Sequence, residues 1–269
     1  MEERKTVKVE GKPKGDIKYK ILPIVSILSF LLIWQVVVEL ELVNTSAIAT
    51  PLEVFSAFVR KLVETAPDGR TIQTNIFVSL QVSSVGLILA IILGTPLGLL
   101  MGWYKPIDRM VRPLFEIIRP IPPIAWIPLT LLWIGIGLGA RGMIVFFAAF
   151  TPCLINAYTG IQQTNVTLIN VAKTYGATNY QMFRKVGVPS AMPMAFAGIR
   201  IAISNAWGTL VAAELLAANA GIGYMIAMGR QFVRPDIIVL GMVVIGAIGY
   251  ILNAIFIRVE NIVVKWRTL

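Results

Sequence analysis

The sequence predicts an all-α integral membrane protein with six transmembrane helices. Of its 269 residues, 57% are hydrophobic and 14% are charged, whereas soluble domains carry roughly 25% charged residues. A soluble fold of this length could not bury so much apolar surface in a single core. The surplus apolar surface must therefore face lipid.

The predicted spans are apolar runs, and a helix needs about 20 such residues to cross a bilayer. The runs cover residues 21–43, 76–102, 124–138, 143–161, 193–217 and 237–259. The third run is the shortest, and prolines at positions 120, 122, 123 and 128 surround its start. Proline kinks a helix, and membrane spans accept the kink where neighbouring groups satisfy the freed backbone. We therefore expect the third span to be kinked.

The distribution of lysine and arginine predicts that both termini are cytoplasmic. These residues concentrate in the first 20 residues, in the segments 103–123 and 162–190, and in the C-terminal tail. Short loops rich in lysine and arginine stay on the cytoplasmic side, and six spans put both ends there. Residues 1–20 are expected to form a cytoplasmic basic tail, and residues 21–269 a single transmembrane domain.

The N-terminal region has a competing interpretation, a cleavable signal peptide. Its basic start, its apolar run and the sequence Ala47-Ile48-Ala49 resemble one. The apolar part of a signal peptide is about 7–15 residues long, whereas this run extends from residue 21 to residue 43. An uncleaved first span is the favoured interpretation.

A short amphipathic helix is predicted to begin at Thr50-Pro51. Apolar side chains recur after it at helical spacing, namely Phe55, Phe58, Val59 and Leu62. Two alternatives stay open for this helix. It either lies on the outer surface of the membrane or packs on the protein itself.

Composition argues against several classes of function. The chain has no histidine and one cysteine, so it lacks the common metal ligands and the usual general acid–base residue. It contains no G-x-x-x-x-G-K-[ST] phosphate loop. The formal charge is +10, but the cations flank apolar runs, which is a topology signal. We expect no metal site, no catalytic site, no cofactor on this chain and no nucleic-acid partner.

The segment between the fourth and fifth runs, residues 162–192, predicts two short helices joined by a turn. A helix from about Leu168 to Tyr175 meets Gly176, a residue type favoured just beyond a helix end. Thr178 and Gln181 form a capping-box pattern that begins the second helix, and Pro189 and Pro193 are expected to end it. The second helix would expose side chains suited to docking a partner, namely Tyr180, Phe183, Arg184, Lys185 and Val186.

The 162–192 segment resembles the signature of bacterial binding-protein-dependent ABC importer permeases, which is Glu-Ala-Ala, three residues, Gly, nine residues, then Ile-x-Leu-Pro. Gly176 and Pro189 match at the family's spacing, while Asn170 and Val171 replace its glutamate and first alanine. The resemblance implies a coupling helix that seats on an ATPase. The implied coupling residues are Asn170, Val171, Ala172, Gly176, Ala177, Thr178, Tyr180, Phe183, Arg184, Val186 and Pro189.

Other stretches are similar to the nitrate/taurine/sulfonate/bicarbonate branch of these permeases. They are residues 119–141 (RPIPPIAWIPLTLLWIGIGLGAR), residues 198–226 and the sequence ATPLEVFSAF. The similarity implies the type I importer arrangement in a bacterial plasma membrane, with two permease copies forming the pore as a homodimer. It also implies two cytoplasmic ATPase subunits that hold ATP and Mg, and an extracytoplasmic binding protein that delivers a small anion.

The fifth span contains four candidates for the solute pathway, namely Arg200, Asn205, Trp207 and Glu214. An ionised side chain within a span is costly unless it faces protein or water. Glu214 is interpreted either as a gate residue or as a structural acid bonded to the turn at residues 219–223. For Arg200, tying down a neighbouring helix is favoured over contact with an anion. Ser79, in the second span, is expected to form an interhelical hydrogen bond.

Two further features concern helix packing. Gly94, Gly98 and Gly102 form a ridge of small residues that lets another helix approach closely, either within the subunit or across the dimer. Residues 218–232 are too short to span and are expected to form a re-entrant or surface helix. Trp103 and Tyr224 are expected to anchor the chain at the membrane boundaries.

Three alternative functions compete with an importer for small anions. Permeases of thiamine-precursor or flavin ABC importers share similar sequences. A stand-alone secondary carrier would show inverted repeats or several ionisable residues near the middle of the membrane, and the sequence shows neither. An intramembrane enzyme would need a cluster of histidines, cysteines or carboxylates, whereas Glu214 stands almost alone.

Overall fold

The computed structural model describes residues 17–40 and 48–264, with side chains from residue 21 onward. All regular structure in these residues is helical. The helices are α1 (Ile17–Glu39), α2 (Pro51–Lys61), α3 (Ile72–Trp103), α4 (Lys105–Ile118), α5 (Ile127–Ile134), α6 (Leu138–Gln162), α7 (Val166–Thr174), α8 (Asn179–Met182), α9 (Val188–Ala217), α10 (Ile222–Gln231) and α11 (Pro235–Val263).

The long helices confirm five of the predicted spans. In the described residues, the helices long and apolar enough to cross a bilayer are 21–39, 72–103, 138–162, 179–217 and 235–263. Three predicted features fall wholly or partly outside the described residues. They are the basic tail at residues 1–20, the part of the first run after residue 40, and Ala47 in the signal-like sequence. The all-helical class is confirmed.

The third span differs from its prediction. Residues 103–123, expected as a loop, contain α4, and the run of residues 124–138, expected as a kinked span, contains only the end of a 3-10 turn (Pro123–Trp126) and α5 (Ile127–Ile134). The two halves meet at an angle of 83°. Pro120, Pro122 and Pro123 cause the bend, because proline lacks an N–H and disfavours helical geometry in the residue before it. We call residues 119–122 the elbow.

The bent pair is a single crossing, because α3 and α6 run parallel. Near their starts, Asn75 of α3 and Arg141 of α6 both bond to the backbone just before α10, at Gly221 and Ala220 respectively. The intervening residues 104–137 must therefore return from the end of α3 to the start of α6. With this pair counted as one span, the described part of the chain contains six candidate spans.

The glycine ridge packs within the subunit, against α6. A Cβ built on Gly94 would lie 3.1 Å from the carbonyl oxygen of Phe150, and one built on Gly98 would lie 2.2 Å from that of Leu154. A Cβ built on Gly102 would lie 2.8 Å from the Cβ of Ile161 and 2.9 Å from the carbonyl oxygen of Tyr158. The two backbones are in contact along these turns, which settles the alternative that the sequence left open.

The predicted amphipathic helix α2 has two different faces. Its capping box is complete, with Thr50 and Glu53 bonded reciprocally, and Val54 and Ala57 are buried. The packing alternative is therefore confirmed for that face. Phe55 and Val59 are exposed on the other face, at the level where the last turn of α1 meets α2.

Replacing Gly98 by alanine tests the α3–α6 contact. The added methyl group would overlap the Leu154 carbonyl, and forced overpacking costs about 1–3 kcal/mol. We expect a lower Tm for the detergent-solubilised protein, measured by intrinsic fluorescence. Gly246→Ala is the matched control, since no atom lies within 4 Å of its built Cβ. An unchanged Tm for Gly98→Ala would contradict the packing.

Candidate functional site

The turn at Gly176 is a Schellman motif. The N–H of Ala177 donates to the carbonyl of Ala172 at 3.1 Å, and that of Gly176 donates to Lys173 at 3.0 Å. Gly176 has a φ of 76°, which glycine adopts without steric cost. This geometry closes the end of α7 and confirms the predicted helix end.

The capping box of the second helix is also confirmed. The Thr178 hydroxyl accepts from the Gln181 N–H at 3.3 Å, and the Gln181 side chain accepts from the Thr178 N–H at 2.9 Å. The prediction that Pro189 and Pro193 end this helix is wrong. A π turn, Phe183–Gly187, joins α8 directly to α9, and its wider register removes the clash that proline makes with a regular preceding turn.

The base of the 162–192 segment rests on the junction of α3 and α4. The indole N–H of Trp103 donates to Asn179 Oδ1 at 2.9 Å. The ring of Phe183 lies 5.7 Å from Trp103 and 5.5 Å from Tyr104, between ring centroids. A Cβ on Gly187 would meet the Trp103 ring at 2.7 Å. Trp103 is therefore part of this base, whereas the sequence predicted that it would anchor the chain at the membrane boundary.

The exposed surface of the segment differs from the expected one. Phe183 and Val186, expected to be exposed, are partly buried, and Phe183 belongs to the base. Tyr175, which sequence reasoning used only as a helix boundary, is 88% exposed, and Tyr180 is 60% exposed. The remaining exposed side chains include Asn170, Val171, Lys173, Arg184 and Lys185. Two projecting tyrosines surrounded by cations form a surface suited to a protein partner.

At the opposite face, Glu214 lies in a buried polar cluster. It accepts from the Ser79 hydroxyl at 2.8 Å and from the Gly223 N–H at 2.9 Å. Arg141 lies 3.8 Å away and donates to the carbonyl of Ala220 at 2.9 Å. These contacts match the structural alternative for Glu214, and the Ser79 bond to it is the expected interhelical one. A gate role for Glu214 stays a prediction.

The cluster continues toward α2 and fastens the start of α10. The Gly221 N–H donates to Asn75 Oδ1 at 3.1 Å, and the Asn75 amide donates to Asp68 at 2.7 Å. Asp68 in turn pairs with the buried Lys61 of α2. The segment predicted at residues 218–232 is therefore a short helix held against the protein, with Met225 fully buried.

The other pathway candidates are not brought together. Arg200 forms an ion pair with Glu260, and the indole N–H of Trp207 donates to the carbonyl of Ile245 at 3.0 Å. Both contacts tie α9 to α11, as the favoured interpretation of Arg200 expected. Asn205 is exposed on another face of α9 and lines a cavity.

That cavity has a volume of about 340 Å³ and lies between α4, the elbow and α6. Apolar side chains form most of its wall, five of them aromatic residues from α4, α6 and the 3-10 turn, and Arg119 also lines it. Sequence reasoning used Arg119 only as a topology signal. The elbow that places Arg119 here has no local sequence pattern beyond its prolines.

Comparisons with known proteins agree with this architecture. The model of one family, described as the binding-protein-dependent transport system inner membrane component, matches residues 94–268. The chain is 31% identical to the taurine transport system permease protein TauC of Escherichia coli over 226 residues, 83% of this chain and 81% of that protein. It is 30% identical to the bicarbonate transport system permease protein CmpB of Synechococcus elongatus over 263 residues, 93% of this chain and 94% of that protein.

A third relative is the putative aliphatic sulfonates transport permease protein SsuC of Bacillus subtilis. It is 29% identical over 256 residues, which cover 95% of this chain and 90% of that protein. These alignments extend over nearly the whole chain, including α2 and the elbow.

Removing the carboxylate of Glu214 tests its structural role. In Glu214→Ala, the Arg141 guanidinium and the Gly223 N–H lose a buried acceptor, and breaking such a pair costs about 3–5 kcal/mol. We expect a large fall in Tm and in the yield of folded protein, measured by fluorescence-detected gel filtration. Glu214→Gln keeps an acceptor oxygen and should fall less, while Glu116→Gln, an exposed acid on α4, should change neither quantity. A Glu214→Ala protein that folds normally but no longer transports would instead support a gate.

Proposed function

Because the chain belongs to the family of binding-protein-dependent transport system inner membrane components, we propose that its cargo is a small anion of the kind named for its relatives. The chain is the permease subunit of an ABC importer. TauC, SsuC and CmpB are named for taurine, aliphatic sulfonates and bicarbonate, which are small anionic or zwitterionic solutes, and nitrate has a similar size and charge. The alignment of nearly the whole chain with these permeases is the observation that carries the proposal.

The 162–192 segment is the coupling element that receives the ATPase. Tyr175 and Tyr180 project from its tip, and tyrosines in such positions often dominate the energy of an interface. Its base is fixed to the α3–α4 junction by Trp103, Tyr104 and Phe183. A force on the tip is therefore transmitted directly to the membrane helices.

ATP hydrolysis belongs to separate subunits in this proposal. A second copy of the permease completes the pore as a homodimer, two ATPase chains hold ATP and Mg, and a binding protein delivers solute to the face that carries α2. Closure of the ATPase pair rocks the two permeases as rigid bodies between outward-open and inward-open states.

Both termini lie in the cytoplasm of a bacterial cell in this proposal. The parallel course of α3 and α6 supports this, because a return crossing by residues 104–137 gives six crossings, which would put both ends of the described chain on the side of the 162–192 segment. Lysine and arginine are enriched in the segments at that face, which favours the cytoplasmic side.

Reconstitution with the cognate ATPase and binding protein tests the assignment. We expect solute-loaded binding protein to raise ATP turnover in proteoliposomes that contain the wild-type permease. Tyr180→Ala should lower that stimulation about tenfold, because it removes an interface anchor. Tyr250→Ala is the control, since Tyr250 is 76% exposed on α11, away from the 162–192 segment. Two results would argue against the coupling assignment. One is that the binding protein does not stimulate ATP turnover with the wild-type permease, and the other is that stimulation is unchanged both in Tyr180→Ala and in the double variant Tyr175→Ala/Tyr180→Ala.

The topology is tested by labelling single cysteines in a Cys153→Ala background. Val63 is 82% exposed and Tyr175 is 88% exposed, at opposite faces. We expect an impermeant maleimide to label Val63→Cys in intact spheroplasts and Tyr175→Cys only after permeabilisation. The Cys153→Ala parent should stay unlabelled. Labelling of both positions from one side would exclude the single crossing of α4 and α5, and the reversed pattern would invert the orientation.

A further inference from the structure

The elbow places Arg119 beside the second half of α6, at the edge of the cavity described above and of a smaller cavity next to it. The cavity at its side is walled by α6 from Phe146 to Leu154, which is the middle of that 25-residue helix. Leu154 is eight residues from the end of α6 at Gln162, or about 12 Å along the axis. A charged side chain at such depth is costly and is a marker of solute pathways.

The cavity combines an apolar wall with a few converging polar groups. Phe115, Phe147 and Phe150 line it, and Trp126 stacks on Phe147 with ring centroids 4.7 Å apart. The polar side chains are Arg119 at the elbow, Thr151 on α6 and Asn205 on α9. This composition and the volume of about 340 Å³ are typical of a site for a small organic ligand.

The charge of Arg119 is only weakly compensated by the protein. Its guanidinium lies 3.7 Å from Glu116, and the two side chains are 49% and 54% exposed. Such an exposed pair contributes little, about 0–1 kcal/mol. Glu116 lines the smaller neighbouring cavity and does not line this one.

The neighbouring arginine of α4 is engaged differently. Arg112 donates twice to Asp108, with Nη2 at 2.9 Å from each carboxylate oxygen, and also bonds the Tyr158 hydroxyl. Its guanidinium lies over the Tyr158 ring, 5.0 Å from the centroid. Arg112 therefore fixes α4 to α6, whereas Arg119 is available to an anion in the cavity.

We propose that this cavity is an intramembrane binding site for a small organic anion with a short alkyl tail, such as an alkanesulfonate. The anionic head binds Arg119, with Asn205 and Thr151 as hydrogen-bonding partners, and the tail lies against the aromatic wall. Each methylene of the tail that is removed from water against this wall strengthens binding. Bicarbonate and nitrate have no such tail, so they cannot gain from this wall. The inference rests on the proposed function and narrows its solute class.

Equilibrium binding to the permease–ATPase complex in nanodiscs tests the site without the binding protein. The probes are radiolabelled ethanesulfonate and butanesulfonate. We expect saturable binding, tighter for butanesulfonate, that Arg119→Gln weakens about tenfold, as for loss of a charge-assisted hydrogen bond. Arg119→Lys should restore part of the affinity. Arg109→Gln, an exposed arginine of α4 outside the cavity, should bind like the wild type.

Three outcomes would overturn the inference. They are an absence of saturable binding to the wild type, equal affinity in Arg119→Gln, and competition by bicarbonate as effective as that by butanesulfonate. Failure of the proposed function gives a different result, in which no solute-loaded binding protein changes ATP turnover. Thermal stability of each variant, measured in the same nanodiscs, separates loss of binding from loss of folding.

Discussion

The close parallel contact between α3 and α6 is the constraint on which the rest of the structure depends. Gly94, Gly98 and Gly102 of α3 lie against Phe150, Leu154 and Ile161 of α6 in the same order along the chain, so the two helices run in the same direction. Parallel neighbours need a connection that crosses back, and here residues 104–137 provide it. That return is bent by 83°, and the bend opens the cavity beside α6. The count of six candidate spans and the position of Arg119 beside α6 both follow from this contact.

The same connection links the proposed ATPase surface to the cavity. Trp103 ends α3, Tyr104 precedes α4, and both rings contact the Phe183 ring in the base of the 162–192 segment. Further along α4, Arg112 bonds Tyr158 in the last turns of α6, just before that segment begins. The start of α4 is thus attached to the segment, and its middle is attached to the helix that leads into the segment. Movement of the segment would be passed to α4 as a rigid element, and so to the wall of the cavity.

How much the sequence could predict depended on the range of the interactions. The Gly176 turn and the Thr178 capping box were predictable because each is closed by residues within five positions. The burial of Phe183 was not, because it depends on Trp103, 80 positions earlier in the sequence. Pro189 was expected to end a helix by local rules, but a π turn precedes it, and the glycine of that turn, Gly187, lies against the distant Trp103 ring. Arg119 was missed because topology counting treats every cation alike, whatever its depth.

Three cations of the described residues lie beside a buried acid, whereas Arg119 lies beside an exposed one. Arg141 lies near Glu214 of α9, Arg200 pairs with Glu260 of α11, and Lys61 pairs with Asp68 beyond the end of α2. In each case the acid is at most 3% exposed, so the ion pair joins two parts of the protein. Arg119 instead faces a neighbour three positions away that is itself half in the open. Because no buried acid neutralises Arg119, its positive charge can attract an anion. Beside an apolar cavity, an anion that also has an apolar part would bind best.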